Sequence, residues 1–200
     1  MEEKISFLSG DYKLEGMFAK VSGDKGVVIT HPHPLYGGDM YNPVVNTITS
    51  AYQKNGFATL RFNFRGVGKS QGNYDDGTGE QKDVNSAILY LSEMGIKKID
   101  LAGYSFGAWV NAGLTCEVNP VKNMVMVSPP VGFIDFQPIT SINCLKLVIA
   151  GNRDNIAPAD LIEKMLPTWN QEAHFEVIKG ADHFYSGYLE KLESVLSINL

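Results

Sequence analysis

The amino-acid sequence predicts an α/β fold: a mostly parallel, doubly wound sheet with an antiparallel hairpin at its N-terminal edge. Three observations carry that expectation. Short apolar runs alternate with segments of helical apolar spacing almost to the end of the chain, the pattern of successive βαβ units. The N-terminal segment breaks the alternation, because residues 4–8 and 13–21 flank Ser9-Gly10-Asp11 as two antiparallel strands joined by a tight turn would. The 20 glycines among 200 residues cluster between the apolar runs, where a fold with many tight connections needs them. The length suits one domain over residues 1–200, and an apolar fraction of 44% is enough to fill its core.

The elements follow in order. Residues 26–30 (GVVIT) read as the first buried strand. Over 42–55, Val45, Ile48, Ala51 and Tyr52 share one helical face, with Pro43 in the first turn and Gly56 as terminator. Residues 57–62 are the next strand. Val84, Ala87, Ile88 and Leu91 mark a helix over 80–94, ended by Gly95. A strand over 98–102 leads to a helix over 105–115 that opens on small residues. Further strands are expected at 124–127, 145–150 and 175–178, and further helices at 159–165 and 185–196.

Charge and composition exclude several roles. The net charge is −5 with no basic stripe, whereas nucleic-acid binding needs clustered cations. No apolar stretch approaches the ~20 residues of a membrane span, and the opening MEEKISFLSG lacks the apolar core of a signal peptide. A cytoplasmic protein without nucleic-acid or membrane partners is therefore expected. Cys116 and Cys144 form no CxxC pair, and the histidines are not at ligand spacing around them. Two buried free thiols are expected, and no cofactor is implied.

In an open parallel sheet, ligands bind at the carboxyl ends of the strands. Reactive residues just after strands are thus the ones to weigh. Gly103-Tyr104-Ser105-Phe106-Gly107 follows the apolar run 99–102 directly, a G-x-S-x-G segment between a strand and a helix. A serine on so sharp a turn has its hydroxyl lifted clear of the sheet. Glycines on both sides remove Cβ atoms that would strike the neighbouring strand and helix. The Phe106 amide then points from the helix N-terminus to where an oxyanion would form.

A serine hydroxyl is a weak nucleophile and needs a base. Only His174 and His183 follow Ser105. His174 falls in the alternating segment 173–178, an exposed strand position. His183 lies in a loop after the last strand, at the right edge of the sheet, and is the candidate base. Asp154 follows the strand 145–150 and is the candidate acid that orients His183. Asp182, next to His183, competes for that role, but sequence neighbours rarely reach Nδ1. Asp160 suits a helix cap.

The second oxyanion donor is expected in the loop His31-Pro32-His33-Pro34-Leu35-Tyr36. Its prolines remove two amides, leaving those of His33, Leu35 and Tyr36, with Leu35 or Tyr36 favoured. A metal at the H-x-H pair lacks an acidic or thiol partner nearby. Tyr36, Phe133, Phe136 and Phe184 are candidate walls of a substrate pocket, with core packing as the alternative. Only residues 128–143 separate two strands at the site, too few for a large lid, so an open, shallow pocket is expected. Arg65 suits either a substrate carboxylate or a structural tie to backbone, Asp76 or Glu80. Glu80 and Asp83 sit in the first turn of a helix, where negative charge offsets the dipole.

The segments THPHPLYGGDMYN, RFNFRGVGKSQG, GTGEQKD, GYSFGAW, GNRDNIAP and GADHF together resemble the small, lidless bacterial α/β-hydrolases related to dienelactone hydrolases and acyl esterases. The resemblance spans nearly the whole chain. It implies the α/β-hydrolase fold, a Ser–His–Asp triad and a sheet with few insertions. Dienelactone hydrolases use a cysteine nucleophile, from which Ser105 departs, so their substrate does not carry over. The leading expectation is a serine hydrolase acting on a small or medium acyl ester. A thioesterase or peptidase with the same triad is one alternative, and a non-catalytic binding module on this fold is another.

Overall fold

The computed structural model describes residues 1–114 and 121–200. Eight strands form one sheet among the described residues: β1 (Glu3–Ser9), β2 (Tyr12–Ala19), β3 (Lys25–Thr30), β4 (Ala58–Phe62), β5 (Lys98–Tyr104), β6 (Val121–Val127), β7 (Leu145–Gly151) and β8 (His174–Ile178). Their spatial order is β1-β2-β4-β3-β5-β6-β7-β8. β2 runs antiparallel to β1 and to β4, and every other pairing is parallel. The α/β-hydrolase fold with its N-terminal hairpin is therefore present.

The helices are α1 (Pro43–Lys54), α2 (Thr78–Glu93), α3 (Phe106–Ala112), α4 (Ala159–Trp169) and α5 (Leu189–Asn199). Side chains alternate across β3, so Val28 joins one core and Val27 with Ile29 the other. The first core is closed by α2, α3 and α4, through residues such as Leu91, Val110 and Ile162. The second is closed by α1 and α5, through Ile48, Tyr52 and Leu196. Burial on both faces leaves β4 buried at every position, Thr59 and Arg61 included.

Strand order reverses at β3. The chain leaves it for β4 on one side and then returns to β5 on the other. The crevice at the carboxyl ends of β3 and β5 is the switch point of the sheet. There α3 crosses close over β3, and a Cβ on Gly107 would lie 2.6 Å from Thr30 Oγ1 and 2.7 Å from its carbonyl oxygen. Only glycine permits that approach.

Several boundaries differ from expectation. α3 ends at Ala112, and Thr115, expected as its end, lies outside the described residues. α5 begins at Leu189, because Tyr185 has φ 53° and a residue in the left-handed region cannot start an α-helix. α4 runs through Pro167 to Trp169. Cys144 is disulfide-bonded, not a free thiol as expected, while Cys116 lies outside the described residues. Cysteine spacing carries no information on Cα approach. Phe136 is only 1% exposed and stacks on Trp169 in the core, so it is not a pocket wall. Residues 128–144 hold neither helix nor strand, and among the described residues no inserted helices form a lid. No described helix is long and apolar enough to cross a membrane.

Arg65 resolves into a structural role. Its guanidinium bonds Asp83 at 2.7 Å, its backbone amide reaches the same carboxylate at 3.0 Å, and Asp83 is fully buried. The partner is thus Asp83, not Asp76 or Glu80, and the pair fixes the loop after β4 to α2. Glu80 instead accepts the amides of Asp75 and Gly77. Asp83→Ala would take the hydrogen-bonded partner from a buried guanidinium and leave it only Asp75, at 4.0 Å. It is expected to destabilise by about 3–5 kcal/mol and to lower Tm by roughly 10 °C, read by thermal unfolding. A variant within a degree or two of wild type would show that Arg65 is not held by this pair.

Candidate active site

Four loops meet at the carboxyl edge of the sheet. The turn between β5 and α3 holds Ser105 at φ 53°, ψ −119°, a strained conformation for any residue with a Cβ. Its amide is tied to Val127 O at 2.9 Å, which anchors the turn to β6. Ser105 Oγ lies 3.0 Å from His183 Nε2. His183 Nδ1 lies 2.8 and 3.0 Å from the two oxygens of Asp154. Ser105, Asp154 and His183 are 7%, 4% and 6% exposed, so the chain of bonds runs through a shielded edge. The three residues named from the sequence are therefore brought together.

Geometry also fixes proton positions. A carboxylate only accepts, so Nδ1–H of His183 donates to Asp154 and Nε2 is left to accept from the Ser105 hydroxyl. Asp154 Oδ1 also accepts the amides of Ile156 at 2.9 Å and Ala157 at 2.7 Å. Burial works to raise the Asp154 carboxyl, but the bonds from His183 and Ala157 prevail and hold it below the usual carboxylate range. Tyr104 Oη donates to His183 O at 2.9 Å and pins the histidine loop. Asp182 is engaged with the amides of Phe184 and Ser186, each at 3.1 Å, and does not serve the imidazole. His174 opens β8, exposed.

Above Ser105 lies a cavity of about 340 Å³. Tyr36, Phe106, Phe133, Ile134, Ile156 and Phe184 supply most of its wall, and no Lys, Arg, Asp or Glu lines it. Tyr36, Phe133 and Phe184 stand at its mouth, 74%, 60% and 64% exposed. Three of the four rings expected as walls thus line the cavity, and Phe136 does not.

The loop after β3 differs from expectation in one respect. Leu35 is exposed, does not line the cavity, and donates its amide to His33 Nδ1 at 3.2 Å. The Tyr36 amide donates to His33 O at 3.1 Å, so Tyr36 faces the cavity with its ring alone. Both favoured oxyanion amides are thus consumed inside the turn. The His33 amide donates to no acceptor among the described residues, and neither does that of Phe106. Gly38 packs across the Pro32–His33 peptide so tightly that a Cβ there would collide with the Pro32 carbonyl, and its own amide bonds His33 O at 3.0 Å. Sequence reasoning weighed His33 but could not see which amides a 3₁₀ turn at Pro34–Tyr36 would occupy.

No protein-family model matches the chain. A relative from Rickettsia prowazekii, itself uncharacterised, is 32% identical over 206 residues, covering 97% of this chain and 87% of its own. An α/β serine hydrolase homologue from Coxiella burnetii is 35% identical in sequence. Its structure superposes with a TM-score of 0.92 over 99% of this chain and 97% of the other. A serine hydrolase without a lid from Xanthomonas campestris is 27% identical, with a TM-score of 0.88 over 99% and 93%.

His31 supports the loop from below. It is fully buried, with Nδ1 2.6 Å from Pro32 O and Nε2 accepting the Phe64 amide at 3.0 Å. The bond from Phe64 needs an unprotonated Nε2, and burial, prevailing over the Pro32 bond that favours the charged ring, lowers its pKa to about 4. The folded value lies below the unfolded one, so on acidification the unfolded chain takes up this proton first. Stability is intact above pH ~6.5 and is lost progressively down to pH ~4, by about 3 kcal/mol from this residue. Urea unfolding of His31→Asn across that range should show a flatter loss than wild type. Equal slopes would remove His31 from the acid limit.

Proposed function

Because the chain belongs to the family of lidless α/β serine hydrolases, we propose that it is a serine esterase acting on small or medium, uncharged acyl esters through an acyl-enzyme. One observation carries the reading: Ser105 Oγ, on a strained strand-to-helix turn, lies 3.0 Å from an imidazole nitrogen whose ring is held by a buried carboxylate.

The steps follow from that arrangement. Ser105 Oγ attacks the ester carbonyl as His183 Nε2 takes its proton. Asp154 stabilises the imidazolium and keeps its tautomer. The amides of His33 and Phe106, both without internal acceptors, hold the oxyanion, replacing the Leu35 and Tyr36 amides that the turn consumes. His183 returns the proton to the leaving alkoxide. Water, deprotonated by His183, then attacks the acyl-enzyme and restores Ser105.

The cavity argues for the substrate class. Its volume of about 340 Å³ is at the small end for ligand sites. Its wall carries no cation, and Arg65, the nearest candidate from the sequence, is bound to Asp83. A substrate carboxylate would be desolvated without a partner.

Three outcomes are expected. A fluorophosphonate probe labels wild type and not Ser105→Ala; equal labelling of both removes Ser105 as nucleophile. On p-nitrophenyl esters, turnover favours butyrate over dodecanoate and over an acyl group ending in carboxylate, with kcat lowered about 10⁴-fold in Asp154→Asn. Faster turnover of the long chain would contradict the lidless cavity. Gly38→Ala, by displacing the Pro32–His33 peptide, lowers kcat by about 10²-fold at little-changed KM. An unaffected kcat would take His33 out of the oxyanion site.

A further inference from the structure

Three rings from three segments of the chain meet beside Ser105. The His33 imidazole lies against the Phe106 ring with centroids 4.6 Å apart. Tyr74 touches both, at 5.2 Å from His33 and 5.9 Å from Phe106. His33 and Phe106 are the two residues whose amides are left without acceptors among the described residues. Tyr74 belongs to the loop between β4 and α2, is half-buried, and does not line the cavity. Its hydroxyl meets the same histidine. His33 Nδ1 accepts the Leu35 amide at 3.2 Å, so the neutral ring carries its hydrogen on Nε2 and donates it to Tyr74 Oη, 3.5 Å away.

We propose that Tyr74 is a positioning residue of the oxyanion site: its ring braces those of His33 and Phe106 and so fixes the spacing of their two amides. The proposal rests on reading Ser105 as the nucleophile and those amides as the oxyanion donors. The two donors have no common backbone support. The bonds on His33 O come from the amides of Tyr36 and Gly38, in its own loop, and fix His33 only relative to that loop. Phe106 is carried instead by α3. The stacked rings relate one donor to the other directly, and Tyr74 closes the third side of the triangle. The turn that presents Tyr74 is itself held hard. Asp76, two residues on, has φ 47°, a conformation that residues with a Cβ avoid. Glu80, fully buried, keeps it there by accepting the amides on either side, from Asp75 at 3.0 Å and from Gly77 at 2.8 Å. Gly77, at φ 89°, lies so close to the Trp109 ring of α3 that a Cβ would collide with it. The turn is thereby seated on the same helix that carries Phe106.

Substitutions at Tyr74 separate bracing from mere stability. Rates on p-nitrophenyl butyrate are counted per site labelled by a fluorophosphonate, so unfolded molecules drop out. Tyr74→Ala is expected to lower kcat about ten-fold with KM within two-fold, because a displaced donor weakens the transition state more than the bound ester. Tyr74→Phe keeps the ring and stays within about three-fold of wild type. Butylboronic acid forms a tetrahedral adduct on Ser105 with an oxygen in the oxyanion site, and it binds Tyr74→Ala about ten-fold more weakly. Where Tyr74→Ala does not fold, Tyr74→Leu keeps apolar bulk without the flat ring face and shows the same losses. Wild-type kcat and boronate affinity in the folded variant, a loss confined to KM, or a Tyr74→Phe as impaired as Tyr74→Ala would overturn the brace. Two controls keep the readings apart. With wild type labelled and Gly38→Ala impaired, an unimpaired Tyr74→Ala refutes the brace alone, whereas unlabelled wild type refutes the catalytic set and the brace with it.

Discussion

Ser105 holds a left-handed backbone conformation because two neighbours leave it no alternative. Its amide is drawn to Val127 O on β6, and α3 is pressed so closely onto β3 that Gly107 meets Thr30 without a Cβ between them. Relaxing the turn would mean pulling a helix out of the core, where Phe106, Ala108 and Val110 are almost fully buried. Strain at the serine is therefore maintained by apolar burial at a distance from it. Everything at the edge depends on that placement. It raises Oγ above the strand ends, sets it within reach of His183, and aims the first amide of α3 into the same space.

The rest of the edge is a matter of bringing loops to a fixed point. β3, β5, β7 and β8 deliver their following loops side by side because they run parallel and share register. Each loop is then fastened by bonds that do no chemistry: His31 to Phe64, Tyr104 to His183 O, Asp154 to the amides after it. These ties are short, buried and mostly to backbone. They orient the imidazole without occupying Nε2, which stays available to the serine.

What the sequence disclosed follows from what sequence encodes locally. Strand ends were legible from apolar runs, and Ser105, Asp154 and His183 each follow one, so position along the chain singled out three side chains that the fold brings within hydrogen-bond distance. Legibility stopped where a partner is chosen by tertiary approach. Arg65 could have paired with any of several nearby carboxylates, and only the seating of α2 selects Asp83. Phe136 and Phe133 are three residues apart and equally aromatic, yet one stacks on Trp169 in the core and the other stands open at the cavity mouth. The amides of Leu35 and Tyr36 looked free because the bonds of a 3₁₀ turn are invisible without its dihedrals.

Without a lid among the described residues, the cavity above Ser105 stands open to water. Under a lid, apolar walls are buried by the protein itself. Here Tyr36, Phe133 and Phe184 remain open to water around the cavity. Their apolar surface is covered only when a ligand arrives, so the gain from burying it belongs to binding instead of folding. Charged groups, meanwhile, are withdrawn: the guanidinium of Arg65 is neutralised by Asp83, and the Asp154 carboxylate is enclosed behind the imidazole. Polar chemistry below and apolar contact above are thus carried by different residues. Exchanging a rim side chain alters the apolar surface around the cavity while leaving the bonds among Ser105, His183 and Asp154 untouched, so the two layers of the site vary independently.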